Sequence, residues 1–340
     1  MPNITQPLVL IATAVIAFAV AAVLGRKVIP LLHKLKFGQT ILDIGPSWHK
    51  NKQGTPTMGG ILFILGMLVA LPVMLVFCGT VLDFNILTEP VPTQLRLYGG
   101  IVLALGCGAI GFVDDYIKIV KKRNLGLTDK QKLFMQFALA LGYGLLLYFG
   151  GEGARSFHLP FIGTVDFGFW VVPAVIFIVA GASNATNITD GVDGLCGTVT
   201  VFAAIAFLTV CGLLGEFYQG LLTAALIGGL LGFLVYNLHP AKVFMGDTGS
   251  LFIGGALCAI AFGIGHPLLL IPFGVIYIIE TLSVIVQVGY FKLTHGKRLF
   301  RMAPIHHHFE MGGWNENRIV LTFSAITIVV AAITVLVMWL

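Results

Sequence analysis

The sequence predicts an all-α polytopic membrane protein with ten transmembrane helices. Of its 340 residues, 57% are hydrophobic and 10% are charged, whereas a soluble domain averages about 25% charged residues. Apolar runs long enough to cross a bilayer core of roughly 30 Å recur along the whole chain. Most charged residues lie between these runs or near their ends.

The apolar runs set the predicted order of spans. The first run is too long for the apolar part of a secretory signal and follows no basic residue, so we expect it to remain as a helix. No internal repeat separates the spans, so a single integral membrane domain over residues 1–340 is expected. The spans are predicted near residues 8–30, 59–77, 97–113, 133–149, 167–182, 195–214, 217–238, 250–264, 267–288 and 319–340.

Lysine and arginine are distributed unevenly between the two ends of the spans. All of the 20 except Arg96 and Arg155 lie in or beside the connections that follow odd-numbered spans. Positive residues mark the cytoplasmic side of a membrane protein. We therefore expect both termini to be periplasmic and the polar loops to be cytoplasmic. This location explains the net charge of +5 without a nucleic-acid partner.

Two further features concern packing and the outer loops. The five cysteines lie in or beside apolar runs without CxxC spacing, which predicts buried free thiols. The stretch "HLPFIGTVDFGFW" alternates apolar and polar residues around Gly163, which predicts a small hairpin against the outer leaflet.

Two adjacent aspartates, Asp114 and Asp115, end the third span. Carboxylates near a helix C-terminus oppose the helix dipole, and neighbouring carboxylates repel each other. A cation is therefore expected to compensate them, either Lys118 at i,i+4 or a divalent ion. An ordinary helix end with paired lysines is the alternative.

Four amide and carboxylate side chains follow the fifth span, in "GASNATNITDGVDGL". They recur every three residues, so a continuing helix would align them along one side. A capped helix junction is the alternative, because Asn, Thr and Asp favour caps and turns. The four residues are Asn184, Asn187, Asp190 and Asp193.

Asp247 lies between Gly246 and the Thr248-Gly249-Ser250 start of the eighth span. A helix N-terminus beside glycine binds phosphate readily, and a carboxylate there could hold Mg²⁺ against that phosphate. A simple helix cap is the alternative.

The first inner loop, "HKNKQGTPTMGG", adds Lys52 and Thr57 but lacks the residue order of a Walker A motif.

These polar clusters are all expected on one face. Carboxylate oxygens suit Mg²⁺, which also bridges substrate phosphates, and lysines suit further phosphate charge. The pattern indicates phosphoryl transfer at the membrane surface. The set comprises Asp114, Asp115, Asp190, Asp193, Asp247, Lys52, Lys118, Lys121, Lys122 and Lys130.

Six motifs together resemble the phospho-N-acetylmuramoyl-pentapeptide transferases, a branch of the polyprenyl-phosphate N-acetylhexosamine-1-phosphate transferase family. They are "GTPTMGG", "GFVDDY", "NATNITDGVDGL", "NLHPAKVFMGDTGS", "ETLSVIVQVGYFKL" and "FRMAPIHHHFE", in the family's order. The resemblance implies a bacterial inner-membrane enzyme of peptidoglycan synthesis. It would convert undecaprenyl phosphate and UDP-MurNAc-pentapeptide into lipid I and UMP with Mg²⁺. A homodimer is a possible assembly, but the sequence does not determine the oligomeric state.

The resemblance also implies residue roles. Asp114 and Asp115 would be the catalytic carboxylates, with Asp114 as the base that takes a proton from the lipid phosphate. Asp247 would be catalytic and the first Mg²⁺ ligand, with Asp190 as a second ligand. The substrate-lining residues would be Lys52, Thr57, Lys118, Lys130, Asn187, Asp190, Asp193, Asn237, Gln287 and Phe244, the last stacking on uracil.

Three consecutive histidines, His306, His307 and His308, follow Pro304. Adjacent residues cannot all converge on one metal ion, since metal-binding pairs usually sit at spacings such as i,i+4. Imidazoles can instead hydrogen-bond phosphate or peptide oxygens. We expect a substrate grip, and the resemblance favours His306 and His307 in it. A solvated polar loop is the alternative.

Other functions remain as alternatives at this stage. A cation-coupled transporter would place acids near the bilayer midplane, where the sequence has only Glu280. An intramembrane metalloprotease lacks its HExxH motif. Within the same enzyme class, a UDP-HexNAc-1-phosphate transferase is the nearest competitor.

Overall fold

The computed structural model describes residues 5–34, 52, 54–82, 84–121 and 125–339. Within these ranges ten helices are long and apolar enough to cross a membrane, which confirms the predicted fold class. Three short helices, α5, α10 and α12, lie between them. The helices are α1 (Thr5–Lys34), α2 (Gly60–Val81), α3 (Val91–Val120), α4 (Asp129–Phe149), α5 (Glu152–Arg155), α6 (Val171–Thr189), α7 (Leu195–Leu214), α8 (Phe217–Asn237), α9 (Gly246–Gly263), α10 (Leu270–Phe273), α11 (Val275–Leu293), α12 (Ile305–Glu310) and α13 (Glu316–Trp339).

Several helices extend beyond the apolar runs that predicted them. The third span was predicted at 97–113, but α3 covers Val91–Val120. The fourth begins at Asp129 because Thr128 forms a capping box with Gln131, which satisfies backbone groups that an apolar scan does not register. The ninth was predicted at 267–288, but α11 starts at Val275 after a short 3-10 turn and α10.

The long helix α3 connects two functional ends of the bundle. Near its start, Arg96 Nη2 donates to the Ser156 carbonyl oxygen at 2.7 Å. Near its end, Asp115 accepts a hydrogen bond from Thr248 N at 2.9 Å. From Arg96 to Asp115 the helix advances by roughly 30 Å. We call the end of the bundle that contains Arg96 and Ser156 the hairpin end, and the end that contains Asp115 and Thr248 the site end.

The hairpin end contains the predicted β-hairpin. Strands β1 (Ser156–Leu159) and β2 (Gly163–Asp166) pair antiparallel, with Phe157 opposite Val165. Phe157 is buried, and His158 N donates to the Gly265 carbonyl oxygen at 2.8 Å, so the hairpin is attached to the end of the bundle.

The first and last helices run in opposite directions. In α8, Tyr236 Oη donates to the Ala22 carbonyl oxygen of α1, and the next residue, Asn237, contacts Gly194 at the site end. Helix α13 begins at the site end, where Glu316 accepts from Asp193 N at 2.9 Å. The start of α1 and the end of α13 therefore lie together at the hairpin end, as the even number of spans requires.

Helices α8 and α9 form the centre of the core. Phe63 of α2 packs edge-on against Phe233 and Phe252, with ring centroids 5.6 and 5.8 Å away. At the site end the helices approach closely through glycine: a methyl group on Gly111 would overlap the Asp247 carbonyl oxygen. Small residues permit such backbone contact between membrane helices. The five cysteines are free and buried, as predicted.

We expect the hairpin end to face the periplasm and the site end to face the cytoplasm. Phe161, at the tip of the hairpin, and Lys297, in the connection after α11, are both exposed. A Phe161→Cys variant should therefore react with a membrane-impermeant maleimide in spheroplasts. A Lys297→Cys variant should react only after permeabilisation. The buried native cysteines provide a low background, and labelling of Lys297→Cys in sealed spheroplasts would reverse the assigned orientation.

Candidate active site

Asp115 connects the end of α3 to the beginning of α9. Its carboxylate accepts hydrogen bonds from Thr248 N at 2.9 Å, Thr248 Oγ1 at 2.7 Å and Asp247 N at 3.3 Å. The first turn of a helix presents unpaired N–H groups and the positive end of the helix dipole. The N-terminus of α9 thus compensates the negative charge of Asp115. The position of Asp115 in the sequence does not reveal this arrangement.

Asp114 and Asp247 form the core of a carboxylate–ammonium cluster. Lys118 Nζ lies 2.6 Å from Asp114 Oδ2 and 3.0 Å from Asp247 Oδ2. Lys132 Nζ lies 2.7 Å from Asp247 Oδ2 and 3.5 Å from Asp114 Oδ1. Leu127 N also donates to Asp114 Oδ1 at 2.8 Å. The Asp114 side chain is 1% exposed and that of Asp247 is 15% exposed, so Asp247 is the more accessible carboxylate.

The lysine of α4 that reaches this cluster differs from the predicted one. Lys130 was the residue predicted from the sequence, but it is exposed and makes no polar contact among the described residues. Lys132 makes the contacts instead. Two residues along a helix correspond to a rotation of about 200°, so only the helix phase distinguishes the two lysines. Lys121 is also exposed, and Lys122 lies outside the described residues.

The end of α6 adds an amide and another carboxylate. Asn187 Nδ2 donates to Asp247 Oδ1 at 2.8 Å and to Ser250 Oγ at 2.9 Å. Asp190 is the first residue after α6. Burial raises the pKa of Asp190 well above its usual range, and the negative charges of Asp247 and Asp115 raise it further. A cation bound nearby would favour the ionised carboxylate.

The predicted alignment of four polar residues along one helix side is wrong, because α6 ends at Thr189. Asn184 Nδ2 donates to Gln136 Oε1 at 2.8 Å, away from the aspartates. Asp193 lies beyond the end of the helix and belongs to a separate group. Glycines in this junction allow the chain to turn, and Gly194 has φ of 76°.

The separate group, which we call the Asp193 cluster, comprises Asp193, Lys52, Glu316 and His239. Lys52 Nζ lies 2.8 Å from Asp193 Oδ1 and 2.6 Å from Glu316 Oε2. His239 Nδ1 lies 3.1 Å from Asp193 Oδ2. Since the Lys52 ammonium already lies between the two carboxylates, this cluster connects the first inner loop to α13. The sequence analysis did not identify Glu316 or His239.

Three other predicted substrate residues lie around the start of α9. Asn237 joins two connections, accepting from Gly194 N at 3.1 Å and donating to the Val243 carbonyl oxygen at 2.9 Å. Phe244 is half-buried, and its backbone pairs with the first inner loop through Pro56 O and Gly59 N, both at 2.8 Å. Thr57 adjoins Gly246, because a methyl group added to Gly246 would lie 2.6 Å from Thr57 Oγ1.

Gln287 lies on α11 and holds the loop that precedes the histidines. Its Oε1 atom accepts from Leu299 N at 3.1 Å and from Phe300 N at 2.9 Å. Its Nε2 atom donates to the Phe300 carbonyl oxygen at 3.3 Å. In this arrangement Gln287 shapes the loop, and its amide atoms are engaged by backbone.

The three histidines have three different partners. His306 Nδ1 lies 3.0 Å from Glu280 Oε2, and His307 Nδ1 lies 2.5 Å from Glu310 Oε2. His308 Nδ1 accepts from Arg301 N at 3.1 Å. The side chain of His306 is 1% exposed and that of His307 is 15% exposed. The three imidazoles therefore do not converge on one ligand position, and His307 is more open to a ligand than His306.

The aspartate cluster has the composition of a cation site. One oxygen from each of Asp114, Asp115 and Asp247 lies within 4.8 Å of the others, and Asp190 is close enough to interact with two of them. Three carboxylates, those of Asp114, Asp115 and Asp247, face the two ammonium groups of Lys118 and Lys132, and Asp190 offers further oxygen ligands. The excess negative charge and oxygen-only ligands suit a divalent metal ion.

Comparison with known proteins covers the same segments. A family profile described as glycosyl transferase family 4 matches residues 97–264, from α3 to the end of α9. A profile described as phospho-N-acetylmuramoyl-pentapeptide-transferase signature 1 matches residues 52–64. Together these matches contain both the carboxylate–ammonium cluster and Lys52.

Full-length relatives extend the match to almost the entire chain. The phospho-N-acetylmuramoyl-pentapeptide-transferase of Listeria innocua is 45% identical over 96% of this chain and 97% of its own. Those of Listeria welshimeri and Clostridium perfringens are each 46% identical, over 96% and 93% of this chain and 97% and 94% of their own. By this similarity, this chain belongs to the phospho-N-acetylmuramoyl-pentapeptide-transferase family.

Proposed function

We propose that this protein transfers phospho-N-acetylmuramoyl-pentapeptide from its UDP derivative to undecaprenyl phosphate in the bacterial inner membrane. The products are the lipid-linked diphosphate of peptidoglycan synthesis and UMP. The observation that carries the proposal is the carboxylate–ammonium cluster of Asp114, Asp247, Lys118 and Lys132 at the site end of a membrane bundle. Family membership supports the choice of both substrates.

The reaction exchanges one phosphoanhydride for another. An oxygen of the lipid phosphate attacks the sugar-linked phosphorus of the UDP substrate, and the bond from this phosphorus to the oxygen of UMP breaks. Such phosphoryl transfer requires mainly positioning and electrostatic stabilisation of the phosphate oxygens. Lys118 and Lys132, whose ammonium groups bridge Asp114 and Asp247, can supply positive charge to these oxygens.

The cluster would hold Mg²⁺ through Asp247 and Asp190, with Asp114 adjacent. Asp115 is the least available of the four, since Thr248 and Asp247 N–H groups already occupy its oxygens. When bound, the ion would neutralise diphosphate charge. An arriving diphosphate could also take over the ammonium groups that now neutralise the carboxylates.

Asp114 remains our proposed base for the lipid phosphate, with one structural condition. Its carboxylate is buried beneath Lys118, which lies 2.6 Å from Oδ2. The lipid phosphate would therefore reach Asp114 only when Lys118 moves towards the phosphate. Movement of this ammonium would both expose the base and bring positive charge to the substrate.

The remaining predicted residues would line the nucleotide and sugar-peptide parts of the site. Phe244 is available to stack on uracil, with Lys52 and Asp193 nearby across the first inner loop. Asn187 orients Asp247, and His307 and His308 would contact phosphate or peptide oxygens. The nucleotide would enter from the cytoplasm, which corresponds to the orientation that the lysine and arginine distribution predicts.

The alternatives receive less support. A transporter would require ionisable groups near the bilayer midplane, whereas Asp114, Asp190 and Asp247 cluster where α3 and α6 end and α9 begins. A UDP-HexNAc-1-phosphate transferase would share the aspartates. The match at residues 52–64 and the names of the relatives favour the muramoyl-pentapeptide substrate.

The proposed reaction can be tested directly with purified protein in detergent. UMP should appear from UDP-MurNAc-pentapeptide only when undecaprenyl phosphate is present, and an equal amount of lipid-linked product should form. UDP-N-acetylglucosamine serves as the competing substrate. Faster turnover of UDP-N-acetylglucosamine would favour the competing transferase, and UMP release without a lipid acceptor would indicate hydrolysis instead.

Metal dependence should reflect the oxygen ligands of the cluster. EDTA should abolish UMP release, and Mg²⁺ or Mn²⁺ should restore it, because both ions accept carboxylate and phosphate oxygens. Asp247→Asn should remain inactive at any Mg²⁺ concentration if Asp247 is a ligand. Restoration by Zn²⁺ but not by Mg²⁺ would point to nitrogen ligands and contradict the assignment.

The two lysines of α4 provide a matched pair. Lys132→Met should lower kcat by about 10²–10³-fold, the usual effect of removing one group that stabilises transition-state charge. Lys130→Met should leave the rate close to that of the wild type, because Lys130 is exposed and Lys132 contacts Asp247. Steady-state rates at saturating substrates distinguish the two, and the opposite ranking would restore the assignment made from the sequence.

A further inference from the structure

A buried carboxylate–imidazole pair connects the lipid-exposed helix α11 to the histidine helix α12. Glu280 Oε2 lies 3.0 Å from His306 Nδ1, and the two side chains are 0% and 1% exposed. Burying such a pair is costly unless each group compensates the other. Nothing in the proposed chemistry uses Glu280, so its burial in the core requires another explanation.

The opposite edge of the same imidazole faces the aspartate-bearing junction. A methyl group on Gly191 would overlap His306 Nε2, so this imidazole edge packs directly against the backbone between Asp190 and Val192. Neither His306 Nε2 nor Glu280 Oε1 has a hydrogen-bond partner among the described residues. The ring is therefore held from one side, by Glu280, and meets the junction on the other.

The position of this ring determines where the next residue lies. The His306 and His307 ring centroids are 4.2 Å apart, and both residues belong to the six-residue helix α12. A short helix has little stability of its own, so side-chain contacts must set its location. His306 is one of these contacts, and it links α11 and the Asp190–Gly191 backbone to the helix that carries His307.

We infer that Glu280 is a positioning residue for the UDP substrate, acting through His306. The inference rests on the proposed function and concerns the same site. Glu280 fixes the orientation of the His306 ring, this ring spaces α12 from the Asp190–Gly191 junction, and α12 presents His307 to the nucleotide-linked substrate. Glu280 itself contacts neither substrate.

Replacing the carboxylate would disturb the ring in a specific way. A carboxylate accepts a hydrogen bond from Nδ1–H, whereas a glutamine amide can donate to Nδ1 and select the other imidazole tautomer. Because the pair is buried, water cannot easily substitute for the lost partner. The ring then has alternative orientations, and the spacing of α12 is no longer unique.

The test is steady-state kinetics of the full-length enzyme, with KM measured separately for the UDP substrate and for undecaprenyl phosphate. Glu280→Gln should lower kcat/KM for the UDP substrate by about 10–100-fold, the range found when a carboxylate that orients a metal-binding histidine is removed. KM for the lipid should remain close to the wild-type value. Glu280→Asp should recover part of the loss, since it retains the charge.

A double-variant comparison tests whether Glu280 acts through His306. The Glu280→Gln/His306→Ala double variant should be no slower than His306→Ala alone, because residues that act as one unit are not additive. Thr281→Val is the matched control: its buried hydroxyl has no partner among the described residues, and it should leave both KM values unchanged. Gly191→Ala tests the position of the His306 ring in a second way, because the added methyl group displaces the ring while Glu280 is retained. This variant should raise KM for the UDP substrate, as Glu280→Gln does.

Several results would overturn the inference. A Glu280→Gln enzyme with a lower melting temperature but wild-type KM and kcat would assign Glu280 to stability alone. Multiplying losses in the double variant would show that Glu280 acts independently of His306. If Glu280→Gln does not fold, an unchanged KM in Gly191→Ala would contradict the inference. Absence of UMP release by the wild type would instead reject the proposed function.

Discussion

The site depends on the contact between Asp115 and the first turn of α9. Three hydrogen bonds from Asp247 and Thr248 to this carboxylate attach the end of α3 to the start of α9. The α9 N-terminus compensates a buried negative charge, and the same contact places Asp247 beside Asp114. Gly111 makes the approach feasible, because any side chain there would overlap the Asp247 carbonyl oxygen. The carboxylate–ammonium cluster is thus a consequence of helix packing.

The charge balance of this cluster explains how it can be stable without substrate and still bind phosphate. The three carboxylates of Asp114, Asp115 and Asp247 outnumber the two ammonium groups of Lys118 and Lys132, and Asp190 lies close to them. The ammonium groups neutralise part of the excess, and the remaining charge suits a divalent cation. Ammonium groups held at 2.6–3.0 Å from carboxylates need only a small movement to contact a phosphate oxygen instead.

The short turn between α6 and α7 contacts three separate parts of the site. Asp190 joins the first cluster, Gly191 packs against His306, and Asp193 belongs to the cluster with Lys52 and Glu316. Consecutive residues of a turn point in different directions, so one short segment contacts three groups. A displacement of this turn would alter the carboxylates, the histidine helix and the first inner loop together. Glu280 matters in this scheme because it holds the ring against which the turn packs.

The sequence by itself determined the ten spans, a hairpin around Gly163, the buried cysteines and the collection of acids and lysines at helix ends. These features follow from local hydrophobicity and charge, which a bilayer sorts strongly. Tertiary structure alone decided that Lys132 rather than Lys130 reaches Asp247, that Asp115 contacts α9, and that Asp193 separates from Asp190. It also paired Glu280 with His306 across 26 residues of sequence. The reason is that helix phase, helix ends and contacts between distant segments depend on packing, and residue spacing along one chain does not specify them.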